Sequence, residues 1–342
     1  MIDANEPDGE PGARPEAGTR WSVDSWDPGY GSSLDVEVAG GLADTNDPVD
    51  VDVEVAGADW APRDPAPNAV RPTTILFCDG TLRTDARIWI TEPDGRVRPA
   101  LAASVAAGAV RSTGGRAGVV EVTVARVLVS ASTNTGSIPT PWGTYEPTPA
   151  SSDLDAALVA TVLQAMGRLE VQVASAAATT ADLVVVDGRL QAPGHSPGTV
   201  GYVKAHAARY LADRQHEVVA ALRPGQRTPL FRLQQVRSTT LSWYLRLPGG
   251  AGHPWAGIVR CEVSNDVPVA RAATLADSTC LALPRYASQP HKDSRAPQNL
   301  IPVGALEHRL RHALGDPRLL ERHLRRTAVP AERLIRPATS PT

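Results

Sequence analysis

Two apolar runs in this chain end on the same dipeptide. TTILFCDGTLR over 73–83 places Asp79 before Gly80, and ADLVVVDGRL over 181–190 places Asp187 before Gly188. Hard divalent cations prefer oxygen ligands, so carboxylates are the groups that hold them. Phosphodiester hydrolysis needs an activated water, an electrophile on the phosphate and a stabilised leaving oxygen. Two such ions about 3.5–4 Å apart supply all three. Neighbouring strands lie about 4.8 Å apart, so two strands that each end on Asp would set the carboxylates side by side. A glycine after each lets the backbone turn sharply and admits a bulky phosphate.

Such a site takes further ligands. Glu170 lies in the otherwise apolar VLQAMGRLEVQVA, where an unpaired carboxylate is costly; the alternative is a polar stripe shared with Arg168. Glu121, in VVEVTV, competes for the role and reads better as an outward-facing strand residue. GALEHRLRHALGD offers Glu307, His308 and His312. An imidazole there can bind a divalent ion or move a proton as product departs, although the run also reads as a solvent-facing basic helix. Lys204, in GYVKAHAARY, stands out because the chain holds 2 lysines against 32 arginines. A compact ammonium can orient an attacking water or touch the scissile phosphate; the plainer reading is a surface lysine.

The elements that must carry these groups read as a mixed α/β body beginning near residue 73. TILFCDG and ARIWITE predict neighbouring strands, EPDGR (92–96) a tight turn, and GVVEVTVARVLVS (118–130) a third strand of a meander. A long surface loop follows, and then 152–178, with an acidic first turn, predicts a substantial helix. LVVVDG returns as a strand, and 198–222 predicts a second helix that carries Lys204. PLFRLQQV, LSWYLRLP and AGIVRCEVS read as strands. LIPVGALEHRLRHALGD reads as a helix with Pro302 near its start and Gly315 at its end, before a basic helix at about 317–327.

Charge divides the chain. Residues 1–70 hold 16 acidic and 3 basic residues (net −13), and 71–342 hold 21 acidic and 31 basic (net +10). A basic body that meets a polyanion behind an acidic front fits this split, as does a solvated acidic tail beside an arginine-rich surface. The expected organisation is a disordered acidic tail (1–20), an acidic extension with short strands and a Pro-rich linker (21–72), the body (73–330) and a C-terminal tail (331–342). Cys78, Cys261 and Cys280 form no C-x-x-C pair, which speaks against a disulfide framework or zinc knuckle. With no signal peptide and no apolar run of membrane-spanning length, the expectation is a soluble cytoplasmic protein.

DGTL also matches the tail of the haloacid-dehalogenase motif D-x-D-G-T-L. The nucleophile position there is Phe77, and a phenyl ring cannot attack phosphorus, so that chemistry is excluded. The order LFCDGTLR, GRLEVQV, LVVVDGRL, GYVKAH and IPVGALEHRL, over 73–315, resembles the NurA nuclease family, and WAGIVRCEV resembles that family's late R-x-E strand. The resemblance implies an RNase H-like fold and Mn²⁺- or Mg²⁺-dependent exo- and endonuclease action on DNA. It further implies a homodimer working with the hexameric translocating ATPase HerA in DNA-end resection for recombinational repair. By it, Asp79, Glu170, Asp187 and His308 would hold metal, with Lys204 as catalytic auxiliary. This chain has NLIP where the family has an aromatic residue and proline ahead of its His, so Glu307 can occupy the place of His308. Two other readings stay open: a non-catalytic DNA-binding partner of a translocating ATPase, and a structural protein whose Asp-Gly pairs are only turns.

Overall fold

Long alternating runs and alanine-rich stretches shape the architecture, seen in a computed structural model that describes residues 20–23, 43–44, 47–190, 192, 194–204, 208–235, 238–250 and 255–328. The expected tails, except Arg20, and residues 24–42 and 45–46 of the acidic extension lie outside the described residues. Short strands β1 (Arg20–Val23), β2 (Ala43–Asp44) and β3 (Val49–Asp50) precede the long β4 (Thr74–Thr91), β5 (Val97–Thr113) and β6 (Arg116–Ser130). Then come β7 (Tyr145–Pro149), α1 (Asp155–Ala177), β8 (Leu183–Asp187), β9 (Thr199–Val203), β10 (Ala208–Arg209) and α2 (Asp213–Ala221). The chain continues through β11 (Phe231–Gln234), β12 (Thr239–Arg246), β13 (Ile258–Ser264), α3 (Val269–Ala282), α4 (Ile301–Ala313) and α5 (Pro317–Thr327).

One sheet runs in the order β3-β11-β12-β13-β9-β8-β4-β5-β6-β7, with β1 added beside the far half of β4. Strands β4, β5 and β6 form an antiparallel meander, β8 is parallel to β4, and β9 is parallel to β8. The inner order β6-β5-β4-β8-β9 with these directions is that of an RNase H-like core, the fold that the resemblance implies. Alternation along each strand sorts the two faces. Leu76, Cys78, Val186 and the odd-numbered Ala103, Ala107 and Ala109 of β5 pack with α1. Ile75, Phe77, Leu183 and Val185 face the apolar side of α3 and Val303 of α4, and Ala106 and Val110 meet Leu306 and Leu310 of α4. Both faces of β5 are thus covered, and its small side chains let a helix approach closely from each side.

Several expectations need correction. TILFCDG and ARIWITE are one continuous strand, and the neighbour is β5. That strand bends at a bulge between Thr84 and Ala86. Its inserted Asp85 accepts hydrogen bonds from Ser104, Tyr145 and Arg83, so polar residues occupy places where apolar alternation would continue. The predicted helix over 198–222 is instead β9, β10 and the short α2. Of the short strands expected in the acidic extension, β3 stops at Asp50, and residues 51–56 are not a strand. The acidic extension docks on the body: β3 pairs with β11, and Trp60 is buried beside Phe231. Glu54 grips Arg227 with both oxygens at 2.8 and 2.9 Å, and Arg227 also donates to Asp277 at 2.7 Å.

Candidate active site

The parallel ladder of β4 and β8 pairs Ile75 with Leu183 and advances in step to Cys78 with Val186. One residue beyond that pairing stand Asp79 and Asp187, the last residue of β8, and a carboxylate oxygen of each lies within 4.8 Å of the other. The glycines differ in purpose. Gly188 has φ +98° and turns the chain, as expected. Gly80 does not turn, because β4 runs on to Thr91. A Cβ at Gly80 would meet Met166 Cγ at 3.1 Å, so this glycine admits α1, the helix that carries Glu170. Across the other flank of β4, Asp79 pairs with Gly108. A Cβ there would meet Leu306 Cδ1 at 2.9 Å and Leu310 Cδ2 at 3.0 Å, so Gly108 admits α4, which carries Glu307. Because β8 stops at Asp187 while β4 continues, the sheet is open on that flank and carboxylates from both faces converge there.

Asp79, Asp187 and Glu307 each offer a carboxylate oxygen, and these three atoms lie within 4.8 Å of one another. Lys204 follows the last residue of β9, two positions past Tyr202, which pairs with Asp187. Its Nζ donates to Asp187 Oδ2 at 2.6 Å and Asn299 Oδ1 at 3.0 Å, and lies 3.5 Å from Glu307 Oε1. Asn299 is held by its own donation to Asp293, and the preceding Gln298 carbonyl accepts from the Tyr202 hydroxyl at 2.6 Å. Arg295 spans Glu307 bidentately at 2.9 and 2.6 Å.

The electrostatics are those of crowded acids. Burial, then Asp187 and Glu170, push the Asp79 carboxyl well above its usual range, with Lys204 opposing. Burial followed by Asp187 raises Glu170 to about 8. Asp187 is also raised by burial, against the pull of Lys204. Burial alone would raise Glu307 too, but Arg295 and Lys204 hold it below the usual value. Asp187 Oδ1 is buried with no hydrogen-bond partner, an arrangement that costs free energy unless something binds there. Four carboxylates facing one ammonium and one guanidinium, with an orphaned oxygen among them, fit a hard divalent cation.

Of the residues singled out in sequence, Asp79, Asp187 and Lys204 come together, and Glu170 stands buried within electrostatic reach of Asp79 and Asp187. On α4 the correction is by one residue: Glu307 joins the cluster, while His308 is exposed, with its ring against His312. The helical step of about 100° per residue carries the imidazole away from the carboxylates. Glu121 sits on β6 and accepts from Thr123 at 3.0 Å, outside the group. Arg295 and Asn299 had no signal in the sequence, since both lie in an irregular segment before α4 that no periodicity marks. Among the described residues, no helix is long and apolar enough to cross a membrane.

Fold and side chains together define an α/β domain with an RNase H-like strand order and a carboxylate cluster where β8 ends beside the continuing β4. No protein-family model and no curated protein sequence matches the chain. Among solved structures it is similar to the NurA nuclease from Sulfolobus solfataricus, at 11% identity over 79% of this chain and 88% of that one, with a TM-score of 0.45. It is also similar to endonuclease V from Bacillus subtilis, at 14% identity over 70% and 81% of the two chains, with a TM-score of 0.33.

Proposed function

We propose that this protein is a divalent-metal-dependent nuclease that hydrolyses phosphodiester bonds of DNA, using Mn²⁺ or Mg²⁺. The observation that carries the reading is the convergence of Asp79, Asp187 and Glu307, with Asp187 Oδ1 buried and unpartnered and Glu170 buried alongside. Asp79, Asp187 and Glu307 would hold the metal. When bound, divalent ions acidify water and neutralise charge on phosphate. Lys204 is anchored by Asn299 and Asp187, and so presents its ammonium at the position where an attacking water or a phosphate oxygen must be oriented. Burial and the nearby Asp187 favour the protonated form of Glu170, which would give up its proton were a cation held beside it. In the same proposal the chain acts in the cytoplasm as a homodimer, with a HerA-type hexameric translocase, in DNA-end resection and recombinational repair.

The test is cleavage of end-labelled linear DNA by the purified chain with Mn²⁺, Mg²⁺ or EDTA. Cutting is expected only with metal, and a correctly folded Asp79→Asn/Asp187→Asn variant that still cuts would overturn the reading. Co-purification with a HerA-type ATPase, and stimulation of its ATP hydrolysis, tests the partnership. One observation favours a second reading, a non-catalytic DNA-binding subunit: Lys204 and Arg295 already neutralise Asp187 and Glu307. Salt-sensitive DNA binding without measurable Mn²⁺ affinity would select it.

A further inference from the structure

Beyond Glu307, the next turn of α4 turns outward with His308, Arg311 and His312, all exposed. With Arg83, Gly315, Asp316 and Pro317 they line an open cavity of about 490 Å³. The cavity adjoins the carboxylates: Arg311 Nη2 lies 3.9 Å from Glu307 Oε2, and Arg83 is four residues beyond Asp79 on β4. A helix C-terminus ordinarily repels anions, but the end of α4 is already capped. Arg83 donates to the Gly315 and Leu314 carbonyls at 2.8 and 3.2 Å, and Arg126 to Leu314 at 3.4 Å. The wall's one carboxylate, Asp316, is taken as the N-cap of α5 by the backbone N–H groups of Arg318 and Leu319 at 2.8 and 3.2 Å. Both of those bonds go to Asp316 Oδ1. Apart from this exposed carboxylate, the polar side chains of the wall that face solvent are cationic or hydrogen-bond-donating. Arg311 is 66% exposed, the two imidazoles stand with ring centres 4.9 Å apart, and exposed Arg318 and Arg322 extend the same character onto α5.

We infer that this groove binds the phosphates of a single DNA strand next to the scissile position and leads the strand from the carboxylates across α4 towards α5. The inference rests on the nuclease reading for its ligand. It also gives His308 and His312 a part in binding the strand in place of metal ligation. Arg311 supplies a forked guanidinium suited to a phosphate, and the imidazoles supply N–H donors beside it.

The experiment is fluorescence anisotropy of a labelled single-stranded 20-mer, in EDTA and again in Ca²⁺, over a salt series. Arg311→Glu/His312→Glu is expected to lose at least about tenfold in affinity. Its log–log salt slope should fall by at least about 0.7, the value for one arginine–phosphate contact to a single strand. Arg311→Gln/His312→Gln is expected to fall between this variant and the wild type. Arg116→Glu, on the β5–β6 hairpin, should bind as the wild type does. Absence of wild-type binding in both conditions, a groove variant that binds normally, or an equal loss from Arg116→Glu would each overturn the inference. Metal-dependent cutting with groove-indifferent binding would sink this groove alone, whereas groove-dependent binding without cutting would sink the nuclease reading alone.

Discussion

The ammonium of Lys204 donates to Asp187 at 2.6 Å and so joins the ends of two adjacent parallel strands. It is the one lysine at a site otherwise served by arginines, and it shares its protons between Asp187 and Asn299. A planar guanidinium cannot reproduce that fan of donors from a single nitrogen. Lys204→Met should destabilise the metal-free protein by roughly 2–3 kcal/mol in urea unfolding. This is less than the ~3–5 kcal/mol of a fully buried pair, because 20% of the lysine side chain meets solvent. Added Mn²⁺ should restore most of the loss, and a variant as stable as the wild type in EDTA would contradict the pairing.

Asp79 carries an opposite expectation. Its carboxyl is buried among like charges, so Asp79→Asn should raise the melting temperature of the metal-free protein at pH 8 while weakening Mn²⁺ binding. Losing a partner of a metal ligand typically costs about 10–100-fold in affinity or activity, so losing the ligand itself should cost at least the upper figure. Calorimetric titration with Mn²⁺ and thermal melts decide it together.

Stability of the metal-free chain should fall as pH rises. Glu170 moves from an unfolded value of 4.5 to about 8 when folded, and Asp79 is raised as well. Between those values the folded state holds protons that the unfolded chain has released. Its advantage is complete below about pH 4.5 and is lost as pH climbs to about 8, with a slope of up to about 1.4 kcal/mol per pH unit for each group. Melting temperatures in EDTA from pH 5 to 8 should decline, and saturating Mn²⁺ should flatten the curve. A flat curve in EDTA would show that the acids are not crowded.

Gly108 permits the close approach of α4. A Cβ there would meet Leu306 and Leu310 at 2.9 and 3.0 Å, whereas Gly118 on β6 has open space around it. Gly108→Ala should cost about 1–3 kcal/mol by overpacking and weaken Mn²⁺ affinity, because Glu307 rides on the displaced helix. Gly118→Ala should alter neither quantity measurably.

Much of the site was legible because its two aspartates terminate buried apolar runs, a pattern that survives without long-range information. Strands β8, β12 and β13 were legible from similar runs, whereas β9 was read as part of a helix. What escaped were features set by tertiary contact. The alanine-rich β5 offers no alternation, because both of its faces are buried. The continuation of β4 through Gly80 is paired along β5 and hidden behind polar residues that bond across the bulge at Asp85. Helix α3 buries Ala272, Ala276, Thr279 and Cys280, small residues at helical spacing that make little contrast with the more exposed alanines of the same helix. The choice of Glu307 over His308 depends on the rotation of α4, which Gly108 and the leucines beneath it decide.

The clasp of Glu54 on Arg227 changes the meaning of the chain's lopsided charge. Some of the front's acidity is spent inside the molecule as counter-ion to an arginine that is 1% exposed. A polypeptide begun at residue 73 would keep the guanidinium and Asp277 but forfeit the carboxylate that grips it twice, and interior cations stripped of a partner are poorly tolerated. The compositional frontier near residue 70 is therefore no place to cut, and the outward positive field of the body is smaller than its arginine count implies.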